Sequence, residues 1–214
     1  MDLRDYYDEH WTHVPEGQVD YSRLQYVVDA LEPGERVLDS GCGHGRNLVY
    51  LLRQGFDVYG TDASDSAIAA VQQLASRLRS SLPPDHFRLE PVERMSFPDA
   101  AFDVVLSSAV MHFARDEHHW RAMLDEMFRV LKPGGLFFAR LATTIGHETR
   151  VRHVEGRRYI MPDGDERFLV DEDFIMRATH AVGGALVDPL KTSVVQNARS
   201  MMTWVVQKGV SSQA

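Results

Sequence analysis

The chain has 214 residues, 44% of them hydrophobic, and carries 31 acidic against 23 basic side chains for a formal net charge of −8. That size and apolar content suit one domain, residues 1–214, around a single core. The negative field opposes a phosphate backbone, so nucleic acid is not expected as a partner, and no apolar run approaches the roughly 18 residues that span a bilayer.

The opening Met1-Asp2-Leu3-Arg4-Asp5-Tyr6 lacks a signal-peptide core, and a lone Cys42 supports neither an internal disulfide nor, by itself, a zinc site. Both point to the cytoplasm. Residues 1–33 read as an N-terminal cap or lid: Tyr6, Tyr7 and Trp11 form a terminal aromatic cluster, and Asp20 caps a helix with Leu24, Val27, Val28 and Leu31 at helical spacing. Arg36 to Asp39 is a first strand, a glycine loop follows, and Asn47 to Leu52 opens a helix closed by Gly55. Asp57 to Asp62 is the second strand. Ser64 caps a helix whose Ile68, Val71, Leu74, Ala75 and Leu78 share a face, with Pro83-Pro84 beyond it.

His86 to Glu90 and Phe102 to Leu106 are the third and fourth strands, and Trp120, Met123, Leu124, Met127 and Val130 mark the next helix. Lys132-Pro133-Gly134-Gly135 is a turn into a fifth strand, Leu136 to Leu141. Residues 143–170 begin as a polar stretch, expected to be an inserted hairpin or lid; its basic group, Arg150, Arg152, His153, Arg157 and Arg158, is diluted by Glu148 and Glu155. Asp171 to Ala181 is helical, and Ala185 to Val195 and Met201 to Gln207 are expected to pair as an antiparallel hairpin at the sheet edge. Short apolar strands alternating with helices imply a parallel sheet covered by helices.

The segment that carries chemistry is Asp39-Ser40-Gly41-Cys42-Gly43-His44-Gly45-Arg46-Asn47, a strand end, a glycine loop and a helix start. Glycines let backbone amides approach a ligand, and the helix start offers unpaired amides to a carboxylate. About twenty residues on, Asp62 ends the second strand, where it can accept bonds from ribose hydroxyls. These features specify an adenosine-containing cofactor without separating S-adenosylmethionine (SAM) from a nicotinamide dinucleotide. Two details favour SAM: Arg46 stands where the dinucleotide fingerprint has its third glycine, and the Asp39 carboxylate opposes a pyrophosphate but suits the ammonium of methionine.

At this point the sequence resembles class I, Rossmann-like SAM-dependent methyltransferases. Asp39 to Gly45 resembles their first motif and Gly60-Thr61-Asp62-Ala63-Ser64 their second. Phe97-Pro98-Asp99 with Phe102-Asp103-Val104-Val105 resembles the approach to their fourth strand, and Arg129-Val130-Leu131-Lys132-Pro133-Gly134-Gly135 the turn before their fifth. Gly43 to Leu51 is similar to the tellurite-resistance type of small methyltransferase. The resemblance implies a three-layer α/β sandwich with a mixed seven-stranded sheet, its last strand antiparallel. It implies SAM as cofactor, S-adenosylhomocysteine (SAH) as product, and no metal. It also implies cofactor contacts from Asp39, Gly41, Cys42, Gly43, Asn47, Asp62, Ala63, Val92, Glu93 and Ser107, with Pro91 standing where many members carry an acid.

On the acceptor side, His112 follows the fourth strand as a candidate base or a pocket-lining histidine. Arg140 interrupts an apolar strand, as a substrate-anion contact or a structural ion pair. Tyr7 and Trp11 are expected to close over the site. Cys42, inside the loop, reads as a packing residue rather than a nucleophile. His118 and His119 diverge by about 100° on a helix and cannot share a metal. The acidic charge favours a small-molecule acceptor, with a non-catalytic SAM-binding domain and a nicotinamide oxidoreductase as the other readings.

Overall fold

The computed structural model describes residues 31, 34–195 and 199–210. Apart from Leu31, the expected N-terminal cap, including Tyr7 and Trp11, lies outside the described residues.

Five strands alternate with helices through the first two thirds of the chain: β1 (Arg36–Ser40), β2 (Asp57–Asp62), β3 (Phe87–Leu89), β4 (Phe102–Ser108) and β5 (Leu131–Ala142). Between them lie α1 (Val49–Gln54), α2 (Asp65–Leu78) and α3 (Glu117–Val130). After β5 come β6 (Arg152–Glu155), β7 (Arg158–Ile160), β8 (Glu166–Phe168), α4 (Glu172–Ala181), β9 (Gly184–Leu186), β10 (Lys191–Val195) and β11 (Arg199–Lys208). The main sheet runs β10-β11-β5-β4-β1-β2-β3, and β9 also pairs with β11. The pairs among β1 to β5 are parallel, and β11 is antiparallel to β5, β9 and β10.

Two helix ends read from the sequence, Ser64 and Gly55, form as expected, and Asp116 and Asp171 add two further caps. Ser64 Oγ accepts from Ala67 N at 3.4 Å, and Gly55 closes α1 at φ +81°. The Asp116 carboxylate accepts from His119 N at 2.7 Å and that of Asp171 from Phe174 N at 2.8 Å, so each satisfies an amide that its helix leaves open. Strand alternation then sends side chains to opposite faces. Val37, Val58, Leu106 and Phe138 pack with Ile68, Val71 and Leu74 of α2, whereas Leu38, Val105, Phe137 and Trp204 pack with α3 and α4. On that second face Trp120 stacks on Trp204 at 6.2 Å between ring centroids, and Trp204 Nε1 donates to Thr179 Oγ1 at 3.0 Å. Three layers result, helix, sheet and helix.

The expected antiparallel hairpin forms at one edge of the sheet, with β10 outermost and most of Ser200 to Val206 of β11 buried, as befits a strand with neighbours on both sides. Two details differ from the sequence reading. The run 185–195 is two strands rather than one, because Pro189, which has no N–H to give a ladder, falls between β9 and β10. The Lys132 to Gly135 turn is a bulge within β5, since Phe102 pairs with Leu131 and Val104 with Leu136. Lys132 Nζ binds the Asp103 carboxylate across it at 2.6 Å.

β6, β7 and β8 form a separate antiparallel sheet. Met161 and Leu169 beside it pack on Ala142 and Met201, at the carboxyl end of β5 and the amino end of β11. Because β11 runs opposite to β5, its start and the carboxyl ends of β1, β2, β4 and β5 gather at one rim of the sheet. In an open α/β sheet that rim is where ligands bind. Among the described residues no helix is long and apolar enough to cross a membrane.

Candidate active site

The rim is shaped first by the loop that follows β1. Gly41 N and Cys42 N both donate to Thr61 O at 2.8 Å, which ties the loop to the end of β2. Its glycines differ in purpose. A Cβ on Gly41 would lie 2.5 Å from Val110 Cγ2, and one on Gly45 would lie 2.7 Å from Val71 Cγ2, so both are required for packing. Gly43 sits at φ +52° and a Cβ there would meet no protein atom within 4 Å. It borders open space, and a side chain there would occupy room left for a ligand.

That space is a cleft of about 560 Å³, within the range of small-molecule sites. Gly41, Cys42, Gly43, Asn47, Asp62, Ala63, Val92 and Glu93 all line it, so eight of the ten expected cofactor residues are brought together. Asp62 Oδ2 accepts from Gly43 N and Oδ1 from Ser64 N, each at 2.9 Å. One carboxylate therefore fixes both the glycine loop and the start of the next helix, and each oxygen keeps a second acceptor site.

Asp39 and Ser107 line neither the cleft nor its mouth. Asp39 is wholly buried behind the loop; its Oδ2 accepts from Asn47 Nδ2 at 3.3 Å, and Oδ1 has no partner among the described residues. Burial pushes its carboxyl up to about 7, against the opposing pull of the Asn47 bond and of Arg46. Ser107, whose expected contact is through its backbone oxygen, has its side chain buried near the end of β4, and the next residues, Ser108, Ala109 and Val110, line the cleft.

Cys42 is 4% exposed and occupies the space that Gly60 leaves: a Cβ on Gly60 would stand 3.0 Å from Cys42 Sγ. Burial, then Asp39 and Asp62, pushes the thiol far above its ordinary range, so Cys42 remains a protonated packing residue.

His119 and Phe113 also border the cleft and were not assigned to it from sequence. His119 Nδ1 accepts from Arg115 N at 3.1 Å, and its Nε2 lies 3.1 Å from Glu93 Oε1. The contact joins α3 to the segment after β3.

A second cavity, of about 230 Å³, adjoins the first through shared walls at Arg46, Ala109 and Phe113. His112 and Arg140 meet here, with Arg167 and Arg199. His112 is 8% exposed, and its Nδ1 has no partner among the described residues. Burial and then the nearby Arg167, Arg199 and Arg140 hold its pKa down to about 3, so the ring is neutral at physiological pH. Ala109 marks the boundary between the two spaces at φ +65°, a left-handed conformation uncommon outside glycine, and its N–H donates to Arg140 O at 2.7 Å. The sequence held no signal for Arg167 or Arg199, which reach the cavity only through tertiary packing. Among the described residues no three His, Cys, Asp or Glu side chains cluster as metal ligands.

Comparison with known proteins agrees with this architecture. Residues 38–139 match a family described as "Methyltransferase domain". An uncharacterized methyltransferase of Synechocystis is 33% identical over 121 residues, 56% of this chain and 53% of that one. The chain spans about half or less of the length of the first curated relatives it matches. Among solved structures, a SAM-dependent methyltransferase of Methanosarcina mazei superposes with a TM-score of 0.73 at 21% identity, over 86% of this chain and 97% of that one. The Burkholderia thailandensis 1,6-didemethyltoxoflavin-N1-methyltransferase, solved with 1,6-didemethyltoxoflavin and SAH, superposes at 0.70 and 20% identity, over 97% and 85%.

Proposed function

We propose that this chain is a class I SAM-dependent methyltransferase that transfers a methyl group from SAM to a small-molecule acceptor, a reading its matches support. The observation that carries the proposal is the cleft built from Gly43, which borders open space at the loop, and Asp62, which anchors that loop and keeps acceptor capacity for ribose hydroxyls. When bound, SAM supplies an electrophilic methyl on a sulfonium.

The chain's own residues then have to position, desolvate and, where the acceptor is an OH or NH, take up a proton. Ala63 at the end of β2, with Val92 and Glu93 opposite, forms walls suited to the adenine. Asn47 and the buried Asp39 stand behind the glycine loop, suited to orient the methionine ammonium through the unpartnered Oδ1. The adjoining cavity holds the acceptor, with neutral His112 facing it as a hydrogen-bond acceptor or base. An interior antiparallel β11 and the carboxyl at Asp39 weigh against a nicotinamide dinucleotide, whose sheets are mostly parallel and whose pyrophosphate that carboxyl would repel. Cys42, reduced and buried, suits a cytoplasmic setting.

Calorimetric titration with SAH and with NAD tests the cofactor, and transfer of label from SAM to a broad acceptor panel tests turnover. Binding of NAD without SAH overturns the proposal. Binding of SAH without transfer to any acceptor favours a SAM-binding domain that lacks catalysis.

The raised Asp39 carboxyl adds a pH signature. Its folded value, about 7, lies above the ordinary 3.8, so the ligand-free fold is favoured by the protonated form and loses that contribution as pH rises from about 4 through about 7. A cofactor ammonium that pairs with the ionised form reverses the preference. SAH affinity is therefore expected to strengthen by up to about tenfold per pH unit as pH rises toward 7, and to level above it. Asp39→Asn is expected to flatten that slope between about pH 5.5 and 7. An unchanged slope in the variant assigns the titration to another group.

A further inference from the structure

We infer that the smaller cavity receives an uncharged, mainly apolar acceptor of single-ring size that carries one hydrogen-bonding group, and that Met161 sets the length of molecule admitted. The inference deepens the proposed function and rests on it for the word acceptor, whereas the ligand class and the role of Met161 stand on the cavity itself.

The charges around this space are already engaged. Arg167 pairs with Asp165 and lies over the Phe113 ring, 4.6 Å from its centroid, and Arg46, Arg140 and Arg199 each have an interaction of their own. Asp163 Oδ1 accepts from Asp165 N at 3.1 Å, and Ser200 Oγ donates to Ile145 O at 2.6 Å. A ligand carboxylate would give up its water to compete for cations that have partners, and an ammonium would meet the arginines as like charges. His112 differs from these groups: it lines the cavity, is 8% exposed, and its Nδ1 has no hydrogen-bond partner among the described residues. A buried polar side chain left unsatisfied is costly, which favours a ligand that brings the ring one uncharged hydroxyl or N–H group.

The apolar walls fix the size. Ala109 and Ala142 are small and leave the room, whereas Met161 and Met201 are the long aliphatic side chains that bound it. Met201 is anchored in the main sheet, paired with Ala142 on one side and Ser193 on the other. Met161 comes instead from the turn between β7 and β8 of the separate sheet. Its N–H donates to Asp165 O at 2.8 Å and its carbonyl accepts from Gly164 N at 2.9 Å, so a closed turn holds its backbone at the wall. Its side chain is buried and packs with Ala142, Leu169 and Met201. An unbranched thioether adapts its shape to what it covers. At about 230 Å³ the cavity exceeds the roughly 150 Å³ that holds benzene in an apolar site and falls below the roughly 300 Å³ at which drug-sized sites begin. One ring with a short substituent fits. Shared walls at Ala109 and Phe113 place it beside the larger cleft.

The test is calorimetric titration of the full chain, with and without saturating SAH. Phenol and cyclohexanol are the hydroxyl probes, benzene lacks the hydrogen-bonding group, benzoate carries a charge and 2-naphthol is longer. The tighter hydroxyl probe is expected to bind with a Kd of millimolar order, about fivefold or more tighter than benzene and benzoate. His112→Phe is expected to remove the preference over benzene. Met161→Ala and the milder Met161→Val are expected to tighten 2-naphthol relative to phenol by about tenfold and about threefold. A thermal melt, with SAH affinity within about threefold of the parent, reports that each variant folds. The inference is overturned if neither hydroxyl probe binds at about 10 mM, if benzoate or benzene binds as tightly as the better of them, or if the size preference of a folded Met161 variant matches that of the parent. Failure of SAH to bind counts against the proposed cofactor instead, because the probes are also titrated without it.

Discussion

Asp62→Ala is expected to weaken SAH binding by about 100-fold or more, because the substitution removes two functions at once. The carboxylate accepts from Gly43 N and Ser64 N, each at 2.9 Å, so its loss frees the glycine loop from the start of α2. On the proposed reading it also removes the charged acceptor for ribose hydroxyls, and hydrogen bonds to a charged group are worth about 1.5–3 kcal/mol each. Asp62→Asn retains one acceptor oxygen but turns an amide donor toward one of the two N–H groups, so an intermediate loss of about tenfold is expected. Calorimetry on the three proteins, with a thermal melt to report folding, settles the matter. Affinity unchanged in the folded alanine variant would remove Asp62 from the cofactor site.

The second large effect is on stability. Arg129, on α3, donates through Nε and Nη2 to both oxygens of Glu126, through Nη1 to Asp99 Oδ1 and Phe97 O, and through Nη2 to Met95 O. Glu126 Oε1 in turn accepts from Met95 N at 2.6 Å, and with Arg129 removed that largely buried carboxylate loses its cation. Arg129→Leu is expected to cost about 2–4 kcal/mol in urea unfolding, mostly as the penalty of leaving these groups unpaired. Because the anchored segment adjoins Val92 and Glu93 on the cleft, SAH affinity is expected to fall by several-fold as well. Glu126→Gln keeps one acceptor and is expected to cost less. A melting temperature unchanged in Arg129→Leu would show that the network contributes little.

Arg129 also illustrates what the sequence made legible. Phe97-Pro98-Asp99 and the run from Arg129 to Gly135 were separate points of resemblance, and the structure joins them into one bonded unit. The strand and helix order, the cap at Ser64 and most of the residues of the larger cleft follow from local signals: apolar periodicity, side chains that satisfy helix ends, and glycines beside an acid. The caps at Asp116 and Asp171 became evident only with their helices in place. Ser108 shows the limit of the same logic, for it lines the cleft one residue beyond the serine named from the sequence. The smaller cavity was nearly invisible. Arg140 drew attention as a cation in an apolar strand, but Arg167 and Arg199 lie in polar or loop-flanking sequence, and their convergence depends on how β8 and β11 return to the rim.

The place of β11 has a consequence for the order in which the molecule is made. The cleft is lined by residues 41–123, all synthesised before β5, but β11, which separates β5 from β10, comes last of the eleven strands. Until it emerges, one edge of β5 has no partner, and the faces bearing Phe137, Phe138 and Leu141 await Met202, Trp204 and Val205. Arg199 arrives with that same strand. The smaller cavity, which Arg199 lines, is therefore completed with the same late strand that closes the sheet, well after the residues of the larger cleft have been made.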